Sequence, residues 1–417
     1  MVVWFIAQAL LIVHSAGLTP DSDAAYYLGL ARDCIEAGRP YPLPSHVADH
    51  AYIANPGYIN LLAAVIAIFG RDTAGLWLNL LLNSALLAVI FALTRRLLGM
   101  RTALMATIIY CLVPSDMFIV AGYMSELPFA LAAFAAMLEA TRPGRRHLVA
   151  AGLLLVVANY VRPAGMVFVA TLVLCVLTSP GRRLQRLALL AGTLVAATMA
   201  LWLVNGAATG TRYCFSTTGG INALLGANPT ANGAYEPQVL EPGREADIPD
   251  SLRLDVFRKD SLWKARAIDW VLSHPAQFAA LAPRKIYVQM FSDSYHSSFF
   301  RETSGGTTGP DGRMTHPQRM RVLLESLPYY AVLLLAAAGL VVLVRTRRRR
   351  LALLAALPVA LNLLLAVATV GGPRYHHPVM PVLIILAAEG LCGLLYRGSS
   401  RLRRSGSRQA TMPSRGM

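Results

Sequence analysis

Apolar blocks long enough to cross a membrane recur along this chain, and no other feature constrains its fold as strongly. Residues 76–93 and 327–344 are two examples, since a helix rising ~1.5 Å per residue needs a block of this length to cross a hydrocarbon core of ~30 Å. Only 14% of the 417 residues are charged, whereas a soluble domain usually carries about 25%. The sequence therefore predicts an all-α polytopic membrane protein with about ten spans.

The net charge of +16 raises nucleic acid as a partner, but the placement of the basic residues argues against it. They form short clusters between apolar blocks, as the positive-inside rule expects of cytoplasmic loops. A nucleic-acid-binding protein would instead gather them on one soluble face. The five clusters lie at residues 95–101, 142–147, 182–186 and 345–350, and in the tail after Tyr396.

Placing all five clusters in the cytoplasm gives a map in which the spans alternate in direction. The first stretch lacks a basic segment before it, which favours a span over a signal peptide. The apolar segment 56–70 has no place in the alternation, so we expect it to be an amphipathic juxtamembrane helix at the outer face. The predicted spans are 2–18, 74–94, 103–121, 126–141, 148–161, 164–179, 187–205, 327–344, 351–369 and 378–396.

The map divides the chain into four parts. They are an N-terminal transmembrane module (1–205) that includes a first extracytoplasmic loop (19–72), a long extracytoplasmic loop (206–325), C-terminal transmembrane helices (326–396) and a basic cytoplasmic tail (397–417). We expect the long loop to cap the membrane domain as a small ordered lid. Its Gly- and Asn-rich start, 219–233, predicts turns with little regular structure, and 251–290 predicts an amphipathic helix broken at Pro275 and Pro283.

The cysteines and histidines give no motif for a metal or redox site. The five cysteines have no C-x-x-C spacing. Cys34 and Cys214 both fall on the outer side of the map, where they either pair or stay free as small apolar residues. Neighbouring histidines such as His376 and His377 point in different directions, which disfavours zinc.

Two aspartates stand where the first span reaches the outer face. Asp21 and Asp23 begin a segment whose apolar residues follow helical spacing, so both lie at the N-terminus of an amphipathic helix. In one interpretation Asp21 is the N-cap and Asp23 interacts with the helix dipole. In the other, one carboxylate removes a proton from an acceptor hydroxyl while its neighbour positions the acceptor or binds a metal.

Three further charged residues fall at the outer ends of predicted spans. Glu126 either caps the fourth span together with Ser125 or belongs to a functional site, which is the default interpretation of an ionisable residue at such a place. Arg162 and Arg374 lie far from the cytoplasmic clusters, so an anionic partner should compensate them. A phosphate would do so through paired charge-assisted hydrogen bonds; snorkelling to lipid headgroups is the alternative.

Polar residues in the long loop provide additional candidates for the same site. Lys285, Asp293, Tyr295 and His296 could reach it, although an ordinary solvated loop face explains them as well and is favoured.

Taken in order, these residues resemble the C-type (GT-C) membrane glycosyltransferases, specifically the protein O-mannosyltransferases and the aminoarabinose transferases that modify lipid A. The order and spacing of short motifs carry the resemblance, which extends over most of the chain outside the long loop. The matching motifs are Pro20-Asp21-Ser22-Asp23 with Tyr26, Asn55-Pro56-Gly57-Tyr58 leading to Leu61-Leu62 and Phe69-Gly70, Arg95-Arg96-Leu97-Leu98-Gly99, Ser125-Glu126-Leu127, Arg162-Pro163, and Pro373-Arg374-Tyr375 with Pro378 and Pro381.

The resemblance implies a GT-C-like bundle that transfers sugar from a polyprenyl-phosphate donor to a hydroxyl acceptor at the extracytoplasmic face of the cytoplasmic (inner) membrane. Asp-Ser-Asp replaces the adjacent Asp-Glu of the mannosyltransferases, so which aspartate is the base stays open. Some members bind a divalent cation and others act without one, which leaves a cation at Asp21 and Glu126 open; no other cofactor is expected. The implied catalytic residues are Asp21, Asp23 and Glu126, and the implied substrate-binding residues are Arg162, Arg374, Tyr26, Tyr58, Lys285, Tyr375 and His376.

The rival class is a transporter or lipid flippase without transfer chemistry. Such proteins usually show internal repeats and broken helices with polar groups near mid-membrane. Here no repeat is evident, and the candidate charges gather at one end of the predicted spans. Membrane lipids and a lipid-linked sugar are therefore the expected partners, and nucleic acid is not. A membrane scaffold whose long loop binds another protein is the third class.

Overall fold

The computed structural model describes residues 2–295 and 316–409, from residue 396 onward by backbone alone. Within these residues the chain is helical and contains no strand. Residues 296–315 of the predicted long loop, His296 among them, and residues 410–417 of the predicted tail lie outside. The α-helices are α1 (Val2–Ser15), α2 (Ser22–Ala37), α3 (Pro44–Asp49), α4 (Pro56–Phe69), α5 (Ala74–Leu98), α6 (Met100–Leu112), α7 (Pro114–Phe118), α8 (Glu126–Ala140), α9 (Arg145–Val161), α10 (Met166–Leu177), α11 (Arg183–Thr209), α12 (Gly219–Gly226), α13 (Val256–Ser273), α14 (Pro275–Met290), α15 (His316–Arg345), α16 (Arg349–Ala368) and α17 (Met380–Gln409).

The structure confirms an all-α polytopic membrane protein but not the count of about ten full-length spans. Five of the described helices are long and apolar enough to cross a membrane, namely α5, α11, α15, α16 and the first part of α17. A bent pair that begins with α6 is a broken span or a re-entrant loop, and counted as one span it would be the sixth. The predicted spans 2–18, 126–141, 148–161 and 164–179 form helices of 14, 15, 17 and 12 residues.

The predicted span 103–121 is not one continuous helix. α6 ends at Leu112, and the chain bends by 69° into a short helical stretch from Pro114 to Ala121. Pro114 has no N–H to continue the hydrogen bonds of α6, which explains the break. The bend buries Asp116, whose backbone oxygen accepts a hydrogen bond of 2.7 Å from the Asn83 amide of α5.

Contacts between the helix ends support the predicted alternation. Arg96 donates two hydrogen bonds, of 3.1 and 2.8 Å, to the backbone oxygen of Thr141. Arg350 donates to the hydroxyls of Thr178 and Ser179, at 3.1 and 2.7 Å. The clusters at 95–101 and 142–147 thus meet at one end of the bundle, as do those at 182–186 and 345–350, and we call this the basic end.

The long loop forms a helical layer at the other end of the bundle. Its helices α12 and α13 share a small apolar core that includes Leu224, Trp263 and Val370. Thr217 joins this layer to the first loop, because its backbone N–H donates to the oxygen of Ile53 at 3.0 Å.

Two local predictions for the long loop are wrong in part, since residues 227–233 are turns and irregular structure as predicted but 219–226 are not. The glycine-rich start forms helix α12, and Gly220 lies so close to α13 that an added Cβ would stand 2.2 Å from the backbone oxygen of Asp260. Glycine there permits close packing of two helices where a turn was expected. The predicted break before Pro275 occurs, but Pro283 lies inside α14.

The apolar segment 56–70 forms α4 and packs against α2, α5 and α9. Its second residue, Gly57, touches α9, since an added Cβ would lie 2.8 Å from the backbone carbon of Tyr160. All five cysteines are free, so Cys34 and Cys214 are not paired.

Two glycines bring the backbones of α15 and α17 together. A Cβ added at Gly339 would lie 1.9 Å from the oxygen of Leu386, and one at Gly390 would lie 2.2 Å from the oxygen of Leu335. Small residues permit this approach in membranes, where association depends on close packing. The contact places α17, which begins at Met380 shortly after Arg374, against α15.

We expect Gly390→Leu to lower the melting temperature of the detergent-solubilised protein, because overpacking costs about 1–3 kcal/mol or more when a backbone must move. Gly192→Leu in α11 is the matched control, since nothing lies within 4 Å of a Cβ added there. Equal melting temperatures for the two variants would show that the α15–α17 contact is looser than described.

Candidate active site

An ion pair between Asp23 and Arg374 joins the two ends of the chain. Asp23 lies in the first turn of α2, and Arg374 lies in the segment between α16 and α17. Arg374 donates to the Asp23 carboxylate and to the Tyr295 hydroxyl, the latter at 3.1 Å, with its guanidinium 5.0 Å from the centre of the Tyr295 ring. The Asp23 side chain is 33% exposed and that of Arg374 15%, so the carboxylate remains accessible.

A second ion pair joins Glu126 to Arg162 at 2.5 Å. Glu126 lies in the first turn of α8, where the helix dipole favours a negative charge. Arg162 follows α9 in an extended conformation, as expected of a residue before a proline. The Glu126 side chain is fully buried and that of Arg162 is 13% exposed, so this pair lies deeper than the first.

The buried phenol of Tyr27 connects the two ion pairs. Burial raises its pKa well above the ordinary value and Asp23 adds to the rise, while Arg374 and Arg162 oppose it. All these charges therefore lie near one phenol. Asn55 donates to the Tyr27 hydroxyl and to the Ser125 hydroxyl, each at 3.0 Å, which fixes Tyr27 between the pairs.

The two aspartates of the first loop have different surroundings. Asp21 is the N-cap residue of α2, but its exposed side chain makes no capping hydrogen bond. Ser22 between them has a left-handed backbone with φ of 53°, a strained conformation that tends to occur at functional sites. The structure thus brings Asp23 together with Glu126, Arg162 and Arg374 around Tyr27, and we call these residues the cluster. Asp21 remains at the surface.

Three predicted tyrosines surround the cluster. The Tyr26 hydroxyl lies 3.3 Å from Nδ1 of His50, and burial with a contribution from Asp23 raises its pKa to about 12. Tyr58 is buried and its ring meets the Tyr27 ring edge-on at 5.5 Å. The Tyr375 ring lies 5.7 Å from the Arg374 guanidinium.

Two buried histidines anchor the segment that carries Arg374. His376 has Nδ1 2.8 Å from the backbone oxygen of Gln289 and Nε2 3.0 Å from Asp293. A carbonyl oxygen only accepts, so Nδ1 carries a hydrogen. His377 has Nε2 3.2 Å from Asp116, and the two rings thus reach different partners.

Sequence reasoning missed Asp116 and Asn55. Asp116 is an acidic residue inside a predicted span, which is a signal for a functional or structural polar contact. Asn55 precedes Pro56 in a motif that the resemblance already included, but nothing in the sequence shows that its amide reaches Tyr27 and Ser125.

The Lys285 side chain contacts the end of α16. Its ammonium donates to the backbone oxygen of Val367 at 2.8 Å and lies 4.4 Å from the centre of the Phe278 ring. Val367 belongs to the last turn of α16, where carbonyls lack helical partners. Lys285 therefore acts as a helix cap, and burial lowers its pKa to about 8.

Comparison with known proteins finds solved structures that share this fold. No family model matches the sequence, and no curated protein matches it. The apo form of the Archaeoglobus fulgidus oligosaccharyltransferase gives a TM-score of 0.52 at 14% identity, over 96% of this chain and 52% of that one. The same protein tethered with an acceptor peptide gives 0.50 at 14% identity, over 94% and 50%. ArnT from Cupriavidus metallidurans bound to undecaprenyl phosphate gives 0.46 at 16% identity, over 99% and 66%.

This chain therefore shares its fold with the archaeal oligosaccharyltransferase. It spans about half the length of the archaeal oligosaccharyltransferase. At such low identity the likeness establishes the fold, and any function rests on the site's own residues.

A divalent cation at Asp21 and Glu126 stays a prediction. Among the described residues no group of three or more His, Cys, Asp or Glu side chains is placed to hold a metal ion. Asp21 is exposed at the helix start, whereas Glu126 is buried against Arg162. These two carboxylates do not form the set of oxygen ligands that Mg²⁺ or Ca²⁺ prefers.

We expect the stability of the protein relative to Lys285→Met to rise with pH. Burial holds the folded pKa at about 8, below the ordinary 10.5. Between these values the unfolded lysine binds a proton that the folded one does not, so the free energy of unfolding increases with pH. Melting temperatures at about pH 7.5 and pH 10 measure the effect.

The exposed Arg284→Met serves as the control for Lys285, because its charge does not change over this range. A difference between wild type and Lys285→Met that stays constant with pH would mean that the ammonium is solvated.

Proposed function

We propose that this chain is a membrane glycosyltransferase that moves a sugar from a polyprenyl-phosphate donor to a hydroxyl acceptor on an envelope glycan, lipid or protein. The supporting observation is the cluster of Asp23, Glu126, Arg162 and Arg374 around Tyr27. This cluster lies at the bundle end opposite the basic end. If the basic end faces the cytoplasm, as the positive-inside rule favours, the site faces the extracytoplasmic side of the inner membrane.

Arg162 and Arg374 provide the donor-phosphate site. They lie close enough for Arg374 to act on the pKa of Arg162, although Glu126 outweighs it and the pKa is raised overall. A phosphate that displaces Asp23 from Arg374 would keep that guanidinium paired. Guanidinium groups bind phosphate through paired, charge-assisted hydrogen bonds. Their place at the end of an apolar bundle suits a donor with its tail in the membrane and its phosphate at the surface.

Asp23 is the proposed general base. It takes the proton of the acceptor hydroxyl while the acceptor oxygen forms a bond to the anomeric carbon. The bond from that carbon to the phosphate oxygen breaks, and the oxygen leaves with the electron pair as polyprenyl phosphate. Arg162 and Arg374 stabilise the charge that develops on it. A single displacement of this kind inverts the anomeric carbon.

The ion pairs suggest an order of events. Arg374 holds Asp23 before the donor binds, and the incoming phosphate competes with the carboxylate for the same guanidinium. Donor binding would therefore release Asp23 beside the acceptor. Glu126 is fully buried on Arg162, so its role is to position that guanidinium, and contact with the acceptor is not required of it.

The first test is to incubate the purified protein with a panel of radiolabelled polyprenyl-phosphate sugars and membrane extract as acceptor. We expect label transfer with one donor, and Asp23→Asn should reduce its rate about a hundredfold or more. Glu36→Gln is the control, because Glu36 is an exposed carboxylate on the same helix. A greater loss in Asp21→Asn than in Asp23→Asn would assign the base to Asp21.

Failure of every donor in the presence of extract, with the protein folded, would remove the main support for transfer chemistry. A transporter or flippase would then be the better interpretation, and movement of the lipid in reconstituted vesicles would be measured next.

A second prediction tests whether Glu126 positions the Arg162 guanidinium for the donor or only stabilises the fold. Glu126→Gln leaves Arg162 without its charged partner, which should cost about 3–5 kcal/mol of stability and raise the KM for the donor. The double variant Glu126→Gln with Arg162→Met removes both charges and should recover much of the melting temperature. It should not recover activity, since the phosphate would lose one guanidinium. Activity close to wild type in the double variant would show that the pair is structural only.

A further inference from the structure

An apolar cavity lies between the helices of the membrane domain and reaches the basic end. It opens partly to the surroundings, offers about 80 Å³ to the centre of a water-sized sphere, and is formed mainly by α5, α8, α10, α16 and α17. It runs from Phe168 and Val382, toward the end of the bundle that holds Arg374, to Leu98 and Thr141 at the basic end. Its lining is almost entirely hydrocarbon, so it suits an apolar occupant.

Two arginines stand at the rim of this cavity. Thr141 lines the cavity and accepts both hydrogen bonds from Arg96. Cys175 also lines it, and Nη2 of Arg350 lies 3.9 Å from its sulfur. Both guanidinium groups are exposed, so each can direct further N–H donors toward a ligand outside the rim.

The charges around the rim are mostly uncompensated. Among the described residues neither Arg96 nor Arg350 forms an ion pair with a carboxylate. The nearby Glu139 is engaged by Arg142 at 2.6 Å and by His147 at 2.5 Å. An anionic group is therefore the complementary partner for the rim, and a hydrocarbon chain for the interior.

We propose that this cavity binds an anionic phospholipid of the membrane leaflet at the basic end. One acyl chain would occupy the cavity, and the phosphate would contact Arg96 and Arg350. Basic pockets between transmembrane helices on this side are known to suit anionic headgroups. The site is separate from the cluster around Tyr27, because its rim lies at the opposite end of the bundle, and it does not depend on the proposed function.

Native mass spectrometry of the purified full-length protein tests the proposal. Phosphatidylglycerol, phosphatidylcholine and a polyprenyl phosphate would be added separately, and retention of each measured. We expect about tenfold stronger retention of phosphatidylglycerol than of phosphatidylcholine. Ala355→Trp, which fills the cavity, should abolish this retention, and Arg350→Gln should remove the preference for the anionic lipid.

Two matched controls accompany these variants. Ala360→Trp places the same ring on the exposed face of α16, and Arg145→Gln removes an exposed arginine elsewhere at the basic end. Both should retain phosphatidylglycerol as wild type does. Unchanged retention in Ala355→Trp would overturn the proposal, as would equal retention of the two phospholipids by wild type. Loss of polyprenyl phosphate alone would assign the cavity to the donor tail.

A measurement on the unaltered protein covers the case in which Ala355→Trp does not fold. Phosphatidylglycerol with a photoreactive acyl chain should label peptides that contain residues 134–141 and 351–358, and excess unlabelled phosphatidylglycerol should suppress the labelling. Labelling confined to the outer surface of the helices would contradict an acyl chain inside the bundle.

Discussion

The contact between Asp23 and Arg374 connects parts of the chain that are 351 residues apart. It requires α2 in the first loop to lie against the segment between α16 and α17. The same arginine bonds Tyr295, which extends the connection to the end of α14. The site is thus a product of the complete fold and belongs to no single segment.

The energetics of the two ion pairs differ because their depths differ. Glu126 and Arg162 are buried, and such a pair rarely adds stability beyond what apolar residues of similar size would give. The Glu126–Arg162 pair is therefore better explained by its effect on the position of the Arg162 guanidinium than by a contribution to stability. The Asp23 pair lies closer to solvent, so exchanging its partner for a phosphate costs less desolvation. The deeper arginine, Arg162, is therefore expected to keep its carboxylate partner, whereas Arg374 can exchange its partner for a phosphate.

Much of this arrangement could be predicted from the sequence, for a physical reason. Charged residues at the ends of apolar blocks are conspicuous, and Asp23, Glu126, Arg162 and Arg374 stood out in that way. Their pairing could not be predicted, since it depends on helix packing over long sequence separations. The contact of Lys285 with the end of α16 could not be predicted either, because a lysine that caps a helix and one that binds a substrate have the same sequence signal. Asp116 was overlooked because the bend that buries it was interpreted as part of a straight span.

That bend also restricts how the protein can be assembled. Backbone groups that leave a helix at membrane depth need partners, because lipid offers none. Here α5 supplies them: the Asn83 amide bonds the oxygen of Asp116, and the Asn79 amide bonds the oxygen of Gly122 at 2.8 Å. The stretch after α6 therefore has these partners only when α5 lies beside it. The order of the two helices in the chain satisfies this requirement, since the asparagines are synthesised and inserted before the backbone they serve.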